Sequence, residues 1–273
     1  MNYLELIERL KKVTPDDYEI EARVLVETFT DCKMSYIFGN RSADFDSEEL
    51  KNALKRRESR VPLQYIVGKW DFYRQTYFVD ENCLIPRADT EILVEKAIEL
   101  LPRNSKFIDL CTGSGCIAIS TLCERLDTTA VAVDKFEKTL DIARKNASFN
   151  GVDNRLTLMM LDVLNEENKL EGCAFDAILS NPPYIRPEVI ETLSEEVKHE
   201  PYAALFGGED GLIFYSKIVK DYSRFLKNNG FILFEIGYDQ GDSLISIAEE
   251  NGFNCKILKD YGGRDRVAYL TKK

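Results

Sequence analysis

Apolar positions recur at helical spacing through residues 1–68. Leu4, Leu6, Ile7 and Leu10 predict one amphipathic helix, and Ile20, Val24 and Phe29 predict a second. Thr14–Asp17 (TPDD) and Asp44–Leu50 (DFDSEEL) place small polar residues and acids ahead of apolar runs, the pattern of a helix start. No strand-like alternation interrupts this region, so a small helical bundle is expected. From Trp70 to Pro86 (WDFYRQTYFVDENCLIP) the pattern turns aromatic and roughly alternating. It predicts a linking β-hairpin over residues 69–86, with Asp80–Asn82 as its turn. Arg87–Leu101 returns to helical spacing.

Beyond Lys106 the two periods alternate. Apolar strand patterns occur at 106–111, 130–135, 155–162, 176–181 and 230–236. Helical patterns occur at 116–126, 137–150, 211–226 and 243–252, with a longer insertion after the fourth strand. Two final strand patterns, 254–260 and 266–272, are joined by a short YGGRD segment. A parallel pair needs a long crossover, so this last pair is expected to be antiparallel. Five βα units followed by an antiparallel pair predict an α/β fold with a seven-stranded, doubly wound, Rossmann-like sheet over residues 87–273.

Composition narrows the function. Of 273 residues, 44% are hydrophobic and 30% charged, and the formal net charge is −11. That balance supports a sizeable core and disfavours a sequence-independent grip on phosphates, so no direct nucleic acid partner is expected. Leu54–Arg60 (LKRRESR) is a local basic patch. No apolar run is long enough to span a membrane, and MNYLELIERLKK has no signal-peptide core. The seven cysteines form no CxxC pair, and His199 is the single histidine. A cytoplasmic, monomeric protein with reduced thiols and no metal is therefore expected.

The segment DLCTGSGCIA, Asp109–Ala118, links the first strand pattern to a helix. Gly113 and Gly115 allow close backbone approach, and the helix start offers free N–H groups. Asp134 ends the next strand, where a carboxylate can accept both ribose hydroxyls. Gly113, Gly115 and Ala118 followed by an acid also fit the dinucleotide fingerprint, so an NAD-dependent oxidoreductase stays open on this motif alone. The antiparallel terminal pair is similar to the seven-stranded sheet of S-adenosylmethionine-dependent methyltransferases. In enzymes of that type an acid such as Asp162, at the third strand end, often holds the adenine amino group.

Asn181–Tyr184 (NPPY) ends the fourth strand, on the edge where open α/β sheets bind ligands. Pro182 and Pro183 fix the backbone and donate no N–H. The side-chain oxygen of Asn181 and the carbonyl of Pro182 can accept the two hydrogens of a planar NH₂ group, and Tyr184 can stack on its face. An amide nitrogen is a weak nucleophile because its lone pair is conjugated. Two acceptors on its hydrogens favour the tetrahedral nitrogen of the transition state over the planar ground state. With a sulfonium donor the protein mainly positions the nucleophile, and no base is demanded before transfer.

NPPY on such a sheet resembles the amino-methyltransferases as a class. Arg60–Gly68 (RVPLQYIVG), Leu84–Glu91 (LIPRADTE), Asp109–Ile119, Ser180–Ile185, Glu200–Leu212 (EPYAALFGGEDGL), Phe234–Gln240 (FEIGYDQ) and Gly262–Val267 (GGRDRV) occur in order. Over nearly its whole length the chain resembles the HemK/PrmC family of release factor glutamine methyltransferases. The resemblance implies N5-methylation of the glutamine in the Gly-Gly-Gln motif of peptide chain release factors. It implies S-adenosylmethionine as cofactor and S-adenosylhomocysteine as product. Cys111, Thr112, Gly113, Ser114, Gly115, Asp134, Asp162, Val163 and Asn181 would contact the cofactor. Asn181, Pro182, Pro183 and Tyr184 would hold the glutamine, with Asn181, Pro182 and Tyr184 catalytic. The helical region 1–68 would dock the protein substrate.

Two positions depart from the family. Gly is frequent where this chain has Cys111, and a cysteine there is expected to take ordinary backbone angles. Val163 is smaller than the aromatic side chain some relatives carry. Arg87 and Thr90 are expected near the cofactor edge, and Glu235 and Gln240 either brace the site or serve the strand end alone. The rivals to this reading are an amino-methyltransferase acting on an exocyclic amine of DNA or rRNA, the oxidoreductase, and a non-catalytic release-factor-binding module.

Overall fold

A computed structural model describes residues 1–32, 34–42, 44 and 47–273. Phe45 and Asp46, part of the second expected helix start, lie outside the described residues. The chain divides into two compact units, Met1–Lys69 with Ser194–His199, and Trp70–Leu193 with Glu200–Lys273. The expected division at 1–68, 69–86 and 87–273 differs from this in two respects. The hairpin falls with the sheet, and the short segment Ser194–His199 falls with the helices.

The first unit contains α1 (Tyr3–Leu10), α2 (Tyr18–Phe29), α3 (Met34–Gly39), α4 (Glu48–Glu58) and α5 (Leu63–Val67). Asn2 and Glu5 form a reciprocal cap at the start of α1, each side chain accepting the other's backbone N–H. Ser47 Oγ accepts the Leu50 N–H at the start of α4. Leu6, Leu10, Leu25, Val26, Leu50 and Leu54 are fully buried. The inward face of α2 is not the expected one: Ile20 is 58% exposed, while Ala22, Leu25 and Val26 are buried. Both sets have helical spacing. The choice follows from Glu21, whose carboxylate reaches the buried Arg57 guanidinium at 2.7 Å and turns that side of α2 inward. Arg57 also meets Glu196 at 3.1 Å, and Arg60 meets it at 3.3 Å. Two cations of the basic patch are thus committed to carboxylates.

The second unit opens, from Trp70, with the hairpin, whose strands are β1 (Lys69–Phe72) and β2 (Gln75–Phe78). Its turn is Tyr73–Arg74, with Tyr73 at φ +57°, and not Asp80–Asn82 as expected. Asp80 instead builds a separate turn by accepting the backbone and side-chain N–H groups of Asn82. Then follow α6 (Glu91–Leu100), β3 (Lys106–Leu110), α7 (Cys116–Glu124), β4 (Thr129–Asp134), α8 (Glu137–Phe149), β5 (Leu156–Met160) and β6 (Phe175–Ser180). The short helices α9 (Pro187–Ile190), α10 (Tyr202–Leu205) and α11 (Ile213–Lys217) lead to β7 (Leu226–Glu235), α12 (Gly241–Glu250), β8 (Phe253–Lys259) and β9 (Asp265–Lys272).

The seven-stranded sheet has the order β5-β4-β3-β6-β7-β9-β8, and β9 is antiparallel to both its neighbours. Adjacent residues of one strand bury into opposite cores: Ile108, Val131, Ile178 and Ile232 on one face, Phe107, Ala130, Ala177 and Phe231 on the other. Burial of both faces explains the near-continuous apolar runs. No helical pattern is read between the third and fourth strands, and only a 3₁₀ turn, Glu167–Leu170, lies between β5 and β6. One connection differs from expectation: the helix expected at 211–226 loosens after α11 into a π turn at Ile218–Tyr222 and a 3₁₀ turn at Ser223–Phe225. β7 starts earlier than expected because a register shift against β6, between Phe175 and Ala177, absorbs the polar Lys227–Gly230 stretch. Among the described residues no helix is long and apolar enough to cross a membrane.

Candidate active site

β5, β4, β3 and β6 are neighbours, so their carboxyl ends bring the 111–115 turn, Asp134, Asp162 and Asn181 to one edge of the sheet. There a cavity of about 270 Å³ is lined by Cys111, Thr112, Gly113, Ser114, Asp134 and Asp162, and also by Val163, Asn181 and Pro183. Gly115, Pro182 and Tyr184 do not line it.

The turn alternates hand. Cys111, Gly113 and Gly115 have φ of +61°, +56° and +83°. The expectation of ordinary angles at Cys111 is therefore wrong: a side chain sits in the left-handed region, where it is held by packing against the core. Burial pushes the Cys111 thiol far up, so it stays protonated. Gly115 is needed twice over, since a Cβ there would also meet Ile119 Cδ1 at 2.8 Å. Thr112 N–H donates to Val133 O and Gly113 N–H to Asp134 Oδ2, which ties the turn to β4. Beneath it, the fully buried Asp109 accepts from the Thr112 hydroxyl at 2.5 Å and from the Ala118 N–H at 3.3 Å. Desolvation pushes its carboxyl up to about 7 against those two donors.

The residues present fit an adenosine-bearing ligand. Among the described residues, Ser114 Oγ is buried without a hydrogen-bond partner, and the neighbouring Cys116 thiol is only a weak one. Asp134 is raised by desolvation, which the N–H groups of Phe136, Gly113 and Lys135 oppose. Leu161, Val163, Leu164 and the half-exposed Phe136 supply apolar walls. Asp162 is differently placed: Oδ1 accepts from Leu164 N, and Oδ2 accepts from Asn165 Nδ2 and pairs with Lys135 at 3.0 Å. Burial works against its charge, but these donors prevail and hold the carboxyl below its usual range. Its oxygens already serve its own turn.

Asn181 donates from Nδ2 to Thr90 Oγ1 at 3.3 Å, and Thr90 Oγ1 donates to Glu235 Oε2 at 2.5 Å. The Tyr184 hydroxyl donates to Glu235 Oε1 at 3.4 Å, so its ring packs toward the core and forms no cavity wall. The backbone after Asn181 is clamped. Ile185 N–H donates to Leu205 O, Gly207 N–H to Ile185 O, and Gln240 Nε2 to Tyr184 O. A Cβ on Gly207 would lie 2.5 Å from Tyr184 Cα, and one on Gly211 would lie 2.5 Å from Tyr184 O. Arg87, expected at the cofactor edge, lines the cavity and pairs with the buried Glu200, which also accepts the Ile85 N–H.

Lys135 and Phe136 line the cavity and were not singled out from the sequence, although they directly follow Asp134. Ala203, Ala204 and Phe206 also line it, from a stretch with no periodic signal. His199 is exposed, with Nε2 3.2 Å from Ser59 O.

This sheet order, with a glycine turn after β3, an acid ending β4 and Asn-Pro-Pro after β6, defines a methyltransferase. Residues 88–208 match the methyltransferase small domain model, and residues 4–68 match the PrmC N-terminal domain model. A methyltransferase structure from Pyrococcus furiosus shares the fold at a TM-score of 0.52 and 17% identity, over 71% of this chain and 87% of that one. The release factor glutamine methyltransferase of Aquifex aeolicus is 35% identical, over 100% of this chain and 97% of its own length. That of Thermodesulfovibrio yellowstonii is 39% identical, over 82% and 81%. The chain belongs to the release factor glutamine methyltransferase family.

Proposed function

We propose that the chain transfers a methyl group from S-adenosylmethionine to the side-chain N5 of the glutamine in the Gly-Gly-Gln motif of peptide chain release factors. It would act in the cytoplasm, as a monomer, in support of translation termination. The observation that carries this reading is Asn181, which lines the cavity beside the glycine turn with its Nδ2 donating to Thr90 and its Oδ1 without a partner among the described residues. Thr112–Ser114, Asp134 and Val163 would hold the cofactor, and Gly115 would keep the turn closed on α7. When bound, that cofactor supplies a methyl group on a sulfonium, an already activated leaving group. Asn181 Oδ1 and the Pro182 carbonyl are the proposed acceptors for the two amide hydrogens, and Pro183 borders the same space.

The test is transfer of labelled methyl from S-adenosylmethionine to a release factor, to its Gly-Gly-Ala variant, and to DNA and rRNA. Label on the glutamine-bearing protein alone is expected. Label on the Ala variant, or on nucleic acid only, overturns the reading. Asn181→Ala should lower kcat about 100-fold, since one aligned transition-state contact is lost, while the Kd for S-adenosylmethionine stays within about threefold.

A further inference from the structure

We propose that Thr90 and Glu235 are positioning residues that fix which end of the Asn181 amide faces the substrate. The inference rests on the function proposed above. An asparagine amide has a donor end and an acceptor end of nearly the same shape, so its direction is set by its neighbours. Thr90 has one hydroxyl hydrogen, and that hydrogen is spent on Glu235 Oε2 at 2.5 Å. Toward Asn181, Thr90 Oγ1 can then only accept, and it takes the Nδ2 hydrogen at 3.3 Å. A flipped amide would oppose two acceptors. The relay therefore leaves Oδ1, the acceptor, as the end of the amide available on the cavity.

Burial gives the relay its rigidity. Thr90 and Glu235 are each 2% exposed, at the entrance to α6 and the end of β7. A buried carboxylate is costly unless it is satisfied, and here Tyr184 donates to the second oxygen at 3.4 Å. The groups facing Glu235 come from several elements: Asp89 and Thr90 before α6, Tyr184 after β6, and Arg266 of β9. Tyr215 of α11 donates to the Glu235 main-chain carbonyl at 3.0 Å. An ionised Glu235 can only accept, which locks the direction. Desolvation raises its carboxyl to about 7, opposed by Thr90 and Arg266. Once protonated, it can donate to Thr90 and free the Thr90 hydrogen to point at Asn181, which favours the wrong amide face.

The experiment measures methylation of a release factor from pH 5.5 to 9 by the wild type, Thr90→Val, Thr90→Ser and Glu235→Gln. S-adenosylmethionine Kd and thermal midpoint are followed in parallel. Thr90→Val should lose about 50-fold in kcat, with KM for the release factor and Kd for S-adenosylmethionine within about threefold, because the lost term acts in the transition state. Thr90→Ser, which keeps the hydroxyl, should recover most of that loss. Glu235→Gln should lose about tenfold and also lose the fall in wild-type activity as pH drops through neutrality. The proposal is overturned if Thr90→Val keeps wild-type kcat, if Thr90→Ser is as poor as Thr90→Val, or if Glu235→Gln keeps the acid-side fall. It is also overturned if kcat, Kd and thermal midpoint collapse together, since that marks a structural role. A wild type that leaves the glutamine unlabelled overturns the function itself, and the positioning claim with it.

Discussion

At Cys111 a side chain occupies φ +61°, a region that costs an L-residue about 1–2 kcal/mol. Glycine is normally less stable than alanine at a given site, but here the order should invert. Cys111→Ala keeps the left-handed cost and loses the thiol packing, while Cys111→Gly removes the cost. Urea unfolding should place the Gly variant above the Ala variant by about 1 kcal/mol. Asp109 makes a second residue-scale case. Its carboxyl titrates at about 7 when folded, above its ordinary value, so the folded state holds the proton more tightly than the unfolded chain. The associated stability is complete below the unfolded pKa and is lost as pH rises toward 7. Asp109→Asn stays neutral and should melt higher than the wild type at pH 8, with a flatter dependence of Tm between pH 4 and 7. Adding Glu235→Gln should flatten it further, because Glu235 is raised to about 7 for the same reason.

Among the elements, the loop 200–214 governs the Asn-Pro-Pro-Tyr backbone through contact. Gly207→Ala would put a Cβ 2.5 Å from Tyr184 Cα, a clash with backbone that only a shift of the motif relieves. Its kcat should fall at least about tenfold while far-ultraviolet dichroism stays native, because a misplacement of even an ångström is costly in an aligned site. Gly172→Ala is the control. Unlike Gly207 it has a positive φ, at +79°, but its Cβ would meet nothing, so it should lose stability and keep kcat. The strands were legible because apolar runs buried on both faces leave few other readings, and Gly113, Asp134 and Asn181 were legible because they end or closely follow those runs. The loop was not. Ala203, Ala204 and Phe206 have no period, and their position depends on the Ile185–Leu205 and Gly207–Ile185 hydrogen bonds. The relay from Asn181 to Glu235 was equally hidden, since Thr90 and Glu235 lie 145 positions apart.

For the whole molecule, helical spacing in the sequence stops near residue 68, and the main segment of the first unit ends at Lys69. The membership of Ser194–His199 was not legible, because the Arg57–Glu196 contact that holds it spans 139 positions. Arg57 is 4% exposed and satisfies two carboxylates. Arg57→Met leaves both without that partner and should destabilise the helical unit by about 3 kcal/mol. Hydrogen exchange would show it: amides of α2 and α4 should exchange faster, while those of β3, β6 and β7 keep their protection.

The place of β9 bears on the order of events during synthesis. β8 leaves the ribosome before β9, yet β9 lies between β7 and β8. Until β9 arrives, β7 presents a bare edge beside Ile232, Phe234 and other core residues, and β8 has no strand to pair with. An exposed apolar edge of that kind invites pairing with other chains. Closure of the sheet therefore waits on β9, which must enter between two strands made before it and gives β7 and β8 their shared partner in one step.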